Sequence, residues 1–74
     1  MEIRKISIGP DYKSGAMHYI VSQSVLGGKY SIHHIKHDMK EGSIKIWIIK
    51  EDEVFLWKSF NSTIPLAIEY NLDF

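Results

Sequence analysis

Residues 43–60 read SIKIWIIKEDEVFLWKSF, and this stretch is the most informative about the fold. Two runs rich in isoleucine, valine, phenylalanine and tryptophan flank the acidic triplet Glu51-Asp52-Glu53. This composition is typical of two β-strands joined by a turn. The stretch therefore predicts an antiparallel hairpin with strands over 43–50 and 54–60.

The length of the turn sets which residues of the hairpin lie opposite each other. A three-residue loop pairs Trp47 with Trp57, whereas a two-residue loop pairs Lys45 with Lys58. Two like charges directly across a ladder are destabilising. We therefore predict the three-residue loop over 51–53.

In this register the hairpin is apolar on both faces, whereas antiparallel sheets usually have one polar face. The predicted core side comprises Ile44, Ile46, Ile48, Val54, Leu56 and Phe60. The predicted outer side comprises Trp47, Ile49, Phe55 and Trp57, with Lys45 and Lys58 nearby. Two interpretations stay open: the outer side is covered when the sheet curls into a barrel, or it binds another surface.

Short β-prone runs between turn residues continue along the rest of the chain. Gly27-Gly28 predicts a two-residue turn with Val25 opposite Tyr30, because glycine readily adopts the positive φ that both central positions require. Pro65 has no N–H to donate, so the last strand is predicted to start at, or lie along, a sheet edge. The predicted strands are 2–8, 16–26, 29–37, 43–50, 54–60 and 64–72. The fold class is therefore all-β: a single domain over 1–74, a small antiparallel meander of five or six strands closing toward a barrel or sandwich.

Three of the four histidines lie close together, at positions 33, 34 and 37. Adjacent residues of a strand point to opposite faces, so His33 and His34 are not expected to share a metal. The predicted register pairs His18 with His37, but two imidazoles without a carboxylate fall short of the usual zinc ligand set. We therefore predict no metal and no cofactor.

A helix over 31–41 is the competing assignment for this segment. Apolar residues recur there at near-helical spacing, and Gly42 could end the helix. A helix would place His33 and His37 one turn apart and favour a metal site. We predict the strand and keep the helix as the alternative.

Composition and motifs exclude several classes of function. The chain has no cysteine, which excludes disulfides, zinc–thiolate sites and thiol nucleophiles. Nine basic and nine acidic residues cancel, and Arg4 is the one arginine, which disfavours a polyanion partner. No P-loop, dinucleotide-binding or nucleophile-elbow motif is present, so we predict no catalytic residues and no enzymatic activity. No apolar run has the length of a membrane span, so we expect a cytoplasmic protein without a membrane partner.

The segments VFLWKSFNSTIPLAIEYNLDF (54–74) and IRKISIGPDYKSGAMHYIV (3–21) together cover most of the chain. In these segments the chain resembles small proteins encoded by tailed phages of marine bacteria, cyanophages among them. The resemblance implies a viral protein at work in the cytoplasm of an infected host cell. It implies no activity and carries no catalytic residues to transfer.

These observations predict a non-catalytic binding protein that acts through the outer side of the 43–60 hairpin. The expected partner is a second copy of the chain, as a dimer, or a host protein. The predicted site residues are Trp47, Ile49, Phe55, Trp57, Lys45 and Lys58. Two alternatives stay open: a small β-barrel that stacks single-stranded nucleic acid on its aromatic residues, and an oligomer that sequesters a small molecule at its interface.

Overall fold

The computed structural model describes residues 2–9 and 17–71, and all regular elements in these ranges are β-strands. The strands are β1 (Ile3–Ile8), β2 (Met17–Ile20), β3 (Ser24–Val25), β4 (Tyr30–Asp38), β5 (Ser43–Lys50), β6 (Glu53–Asn61) and β7 (Leu66–Tyr70). They form two antiparallel sheets, sheet A with the order β2-β1-β7 and sheet B with the order β3-β4-β5-β6. One sheet curls into a half-barrel, and the all-β prediction is confirmed.

The strand predicted over 16–26 is instead two strands in different sheets. Ser22 has a φ of 76°, which ends the extended run. Val21 N–H donates to the carbonyl of Arg4 in β1, and Ser22 N–H donates to the carbonyl of Ile32 in β4. The chain therefore passes from sheet A to sheet B within two residues, and the single predicted strand is wrong. Residues 16 and 72, at the ends of two predicted strands, lie outside the described ranges.

The connection between β3 and β4 contains the predicted turn and a second turn that was not predicted. Val25 lies opposite Tyr30 as predicted, but positive φ values begin one residue early, at Leu26, and continue through Gly27 and Gly28. Gly28 N–H donates to the carbonyl of Val25 at 3.1 Å, and Lys29 N–H donates to the carbonyl of Leu26 at 3.4 Å, so two turns overlap. The second is the predicted two-residue turn at Gly27-Gly28, where both glycines have a positive φ. The first, centred on Leu26 and Gly27, was not predicted.

The predicted pairing of His18 with His37 is wrong as well, since the two residues lie in different sheets. His18 lies opposite Ser7 in sheet A, where its Nδ1 is 2.8 Å from the serine Oγ. His37 lies opposite Ile44 in sheet B. The competing helix over 31–41 is wrong too, because β4 extends from Tyr30 to Asp38.

The core lies between the two sheets and consists largely of isoleucine. Its buried side chains are Ile3, Ile6 and Tyr19 from sheet A, and Ile32, Ile35, Ile44, Ile46 and Ile48 from sheet B. Ile44, Ile46 and Ile48 of β5 were predicted as core, and their burial confirms this. In the described part of the chain β7 lies at an edge of sheet A, directly after Pro65, as predicted.

Strands β1, β4 and β6 each contain a β-bulge, where two residues of one strand oppose a single residue of its neighbour. The extra residues are Arg4, His33 and Trp57. A bulge shifts the alternation of side chains by one residue. Residues three apart, such as Ile32 and Ile35, therefore both point into the core. The bulges in β4 and β6 determine which side chains reach the solvent face of sheet B.

Candidate functional site

The turn between β5 and β6 has two residues rather than the predicted three. Lys50 lies opposite Glu53, which leaves Glu51 and Asp52 as the turn. Glu51 has a φ of 58°, the positive φ that the favoured two-residue hairpin turns require at their first central position. The three-residue loop is therefore wrong.

The bulge at Trp57 removes the like-charge contact that had argued against the shorter turn. Trp57 is the extra residue, so Lys58 lies opposite Ile46 and Lys45 lies opposite Ser59. Without the bulge, a two-residue turn would have set Lys45 against Lys58. The combination of a tight turn and a bulge thus avoids the repulsion between the two lysines.

The two-residue turn also divides the predicted site between the two faces of the sheet. Residues opposite each other in a ladder point to the same face. Phe55 lies opposite the buried Ile48, on the core side. Trp57 packs against the core. The solvent face instead carries two consecutive apolar cross-strand pairs, which we call the outer patch: Trp47 with Leu56, and Ile49 with Val54. The prediction that Trp47, Ile49, Phe55 and Trp57 share one face is therefore wrong, and so is the prediction that Val54 and Leu56 lie on the core side.

Trp57 and Lys58 contribute to packing between the sheets. The indole of Trp57 meets the ring of Tyr19 edge to face, with centroids 5.8 Å apart and an interplanar angle of 80°. Lys58 Nζ lies 4.9 Å from the Trp57 ring centroid and 6.0 Å from that of Tyr19. A cation over an aromatic face is attracted by the ring quadrupole. These contacts join β6 to sheet A.

Strand β6 borders the outer patch and has a free edge. Its nine residues pair with β5 on one side, and no strand within 2–9 and 17–71 pairs with its other side. Three consecutive apolar residues at this edge are exposed: Val54 by 41%, Phe55 by 44% and Leu56 by 49%. Edge strands are usually protected from pairing by charges, prolines or bulges. The segment 54–56 has none of these within it.

The bulge in β4 brings His33 and His34 together on the outer side of sheet B. Their Nδ1 atoms are 2.6 Å apart, and their ring centroids are 4.9 Å apart. The expectation that the two imidazoles point to opposite faces is wrong, because the bulge interrupts the alternation. His34 also stacks on Trp47, with centroids 5.5 Å apart and an interplanar angle of 14°. The stack covers one face of the indole, and the buried Nε1 has no hydrogen-bond partner in the described ranges.

The surroundings of His34 favour its neutral form. Burial lowers the pKa of His34, and the nearby His33 and Lys36 lower it further, while Glu2 acts in the opposite direction. The 2.6 Å separation of the two Nδ1 atoms requires one of them to donate a proton to the other. Within the described residues no three or more histidine, cysteine, aspartate or glutamate side chains are grouped to hold a metal ion.

A cleft of about 680 Å³ runs along β4, between this strand and the ends of β1 and β7. Its polar lining includes His33, His34, His37, Lys36, Glu2 and Tyr70. The three clustered histidines therefore line one cavity, although they do not form a metal cluster. On the other side of Trp47, a depression of about 510 Å³ is bordered by lysines.

The lysines around Trp47 are partly neutralised. Lys45 Nζ lies 2.8 Å from a carboxylate oxygen of Glu41, and this hydrogen bond raises the pKa of Lys45. Lys36 lies directly opposite Lys45 in the β4–β5 ladder. The ion pair with Glu41 thus offsets a repulsion that the sheet itself imposes.

The chain matches no protein-family model, no curated protein and no solved structure in the comparisons that were made. The described residues include no helix with the length and apolar character needed to cross a bilayer. Clues to function therefore come from the surfaces of the chain itself, and above all from the outer patch and the cleft.

Proposed function

We propose that this protein is a non-catalytic protein-binding module and that the outer patch is its binding surface. The observation that carries the proposal is the pair of adjacent apolar cross-strand contacts, Trp47 with Leu56 and Ile49 with Val54, on a solvent face. The solvent face of an antiparallel sheet is normally polar. A contiguous apolar patch on such a face is typical of an interaction site.

The composition and rigidity of the patch suit binding. Tryptophan is enriched among the residues that dominate binding energy at interfaces. The stack with His34 holds the indole of Trp47 in one orientation. A side chain that is ordered before binding loses less conformational entropy on association. The polar rim around the patch is supplied by Ser31, opposite Ile49, and by Lys45.

Self-association is the most direct test of the proposal. We expect sedimentation velocity to give a mass above the 8.6 kDa of one chain as the protein concentration rises. Leu56→Asp should abolish this increase and leave the far-UV circular dichroism spectrum unchanged. Ser59→Asp is the matched control, because it places the same charge on the same strand outside the patch. Association of Leu56→Asp like that of the wild type would contradict the proposal.

A second candidate function is the binding of a small organic anion in the cleft along β4. Its volume of about 680 Å³ lies within the roughly 300–1,000 Å³ typical of ligand sites. Lys36 offers positive charge, the three histidines offer ring nitrogens for hydrogen bonds, and Ile35 and Met39 offer apolar surface. Native mass spectrometry of the purified protein should then show an added mass that denaturation removes. Two negative results together would contradict this candidate: no added mass on the purified chain, and no shift of the His34 resonances when benzoate or a nucleoside monophosphate is added.

Nucleic-acid binding has less support from the geometry. One face of Trp47 is covered by His34, and Trp57 packs against the core. Lys58 lies over Trp57, and Lys45 is paired with Glu41. A base-stacking site needs free aromatic faces beside uncompensated positive charge. The phage origin and the host-cell location implied by the resemblance stay predictions.

A further inference from the structure

We infer that the partner of the outer patch is a second copy of this chain, joined edge to edge through β6. The two β6 strands pair antiparallel around a two-fold axis at Phe55, so the four-stranded sheet B continues across the dimer. Val54 of each copy lies opposite Leu56 of the other. This inference rests on the proposed function and specifies how the surface is used.

The backbone of β6 presents the right groups at its free edge. Glu53 closes a two-residue turn, so its N–H and C=O point toward β5. Alternation then directs the backbone groups of Phe55 toward β5, and those of Val54 and Leu56 toward the free edge. Val54 of one copy opposite Leu56 of the other is therefore a hydrogen-bonded pair, and the two-fold axis repeats it.

The side chains match in the same register. Val54 and Leu56 both lie on the solvent face, so the two outer patches join into one apolar surface across the axis. The two Phe55 side chains meet on the core side, where each already contacts a Tyr30 ring with centroids 6.4 Å apart. All three exposed residues of the segment 54–56 are covered at once.

Charge and the bulge restrict the pairing to this register. The acidic residues 51–53 of each copy lie beside Lys58 of the other copy, which brings opposite charges together. A slip by one residue sets side chains of the solvent face against those of the core side. A slip that centres the axis on Leu56 sets Val54 against Lys58 instead of an apolar residue. The bulge at Trp57 ends the regular edge and limits pairing to residues 53–57.

The absence of cysteine from the chain allows a direct test by disulfide cross-linking. Phe55 lies on the axis in a non-hydrogen-bonded pair, where Cα atoms are about 4.5 Å apart and within reach of a disulfide. We expect Phe55→Cys to form a disulfide-linked dimer under mild oxidation. Ser59→Cys is the matched control and should stay uncross-linked, because the two Ser59 positions lie on opposite sides of the axis.

A second variant tests the backbone hydrogen bonds without relying on a cysteine. Val54→Pro removes an N–H at the free edge while leaving the bonds to β5 in place. It should abolish self-association in sedimentation velocity. Leu56→Lys, a charge on the free edge, should do the same if the proline variant fails to fold.

The outcomes separate this inference from the proposed function. Cross-linking of Phe55→Cys but not Ser59→Cys, together with loss of association in Val54→Pro or Leu56→Lys, supports the edge-paired dimer. A wild type that self-associates while Phe55→Cys does not cross-link and Val54→Pro still associates overturns edge pairing and leaves a patch that meets itself face to face. A wild type that is monomeric at all concentrations overturns both self-association and edge pairing.

Discussion

Replacing Trp57 with alanine should lower the free energy of unfolding by about 3 kcal/mol. The indole packs against the core and makes an edge-to-face contact with Tyr19. Truncation of a fully buried Phe or Trp costs about 3–5 kcal/mol, and the partial exposure of Trp57 places it at the lower end. The aromatic pair accounts for roughly 0.5–1.5 kcal/mol of this loss. For a chain of this length the total stability is roughly 4–11 kcal/mol, so the variant should fold but unfold at much lower urea.

Leu56→Ala is the matched control, because Leu56 precedes Trp57 directly but lies on the solvent face and is 49% exposed. We expect a loss of about 1 kcal/mol or less, half of the value for a fully buried leucine. Unfolding is followed by far-UV circular dichroism at low protein concentration, so that dissociation of a dimer does not contribute. With the three-residue loop, Leu56 would lie on the core side and Trp57 on the outer side. A larger loss for Leu56→Ala than for Trp57→Ala would therefore refute the register of β6.

Three further predictions follow from the sheet geometry. Ile46→Ala should lower the free energy of unfolding in urea by about 3–4 kcal/mol, because Ile46 is fully buried. Ile49→Ala should lower it by only about 1 kcal/mol, because Ile49 lies on the solvent face. Equal losses would contradict the assigned faces. The folded-state pKa of His34 is below its unfolded value of 6.5, so the unfolded state binds more protons and stability falls as the pH drops through about 6.5. His34→Gln should remove this part of the pH dependence, and an unchanged profile would contradict it. Gly42 has a φ of 66°, so Gly42→Ala should cost about 1 kcal/mol by thermal unfolding and Gly42→Asn less, because asparagine tolerates the left-handed region.

The amino-acid sequence alone was enough to predict the fold class and the buried face of β5. Alternating apolar residues and β-prone composition identified the strands, because each strand must bury one face and the side chains alternate with a period of two. The same alternation identified Ile44, Ile46 and Ile48 as buried, and the missing N–H of Pro65 identified the last strand as an edge. These features depend on residues that are close together in the sequence, so the sequence is enough to predict them.

The faces of the residues in β6 depend on two features of the folded hairpin. The two-residue turn places Phe55 on the core side and Leu56 on the solvent face, and the bulge at Trp57 sets the faces of the residues after it. A bulge inserts one residue and moves every later side chain to the other face. The sequence of β6 shows no break in its pattern at Trp57 that would predict a bulge there. The bulge is stable there because Trp57 reaches Tyr19 in the other sheet, a contact between residues far apart in sequence. For the bulge in β4 the sequence did contain a local signal. Ile32 and Ile35 are three residues apart within one strand, and both can be buried on the same face only if a bulge lies between them.

The break at Ser22 has the same origin. Residues 16–26 have the composition of one strand. The conformational preferences of these residues do not show where the chain leaves sheet A. The chain turns there because Val21 pairs with Arg4 of one sheet and Ser22 with Ile32 of the other. Hydrogen bonds to two distant strands impose the positive φ of Ser22, and only the assembled sheets supply both partners. The sequence therefore determined which segments are strands, while packing between the sheets determined where each strand ends and which face it exposes.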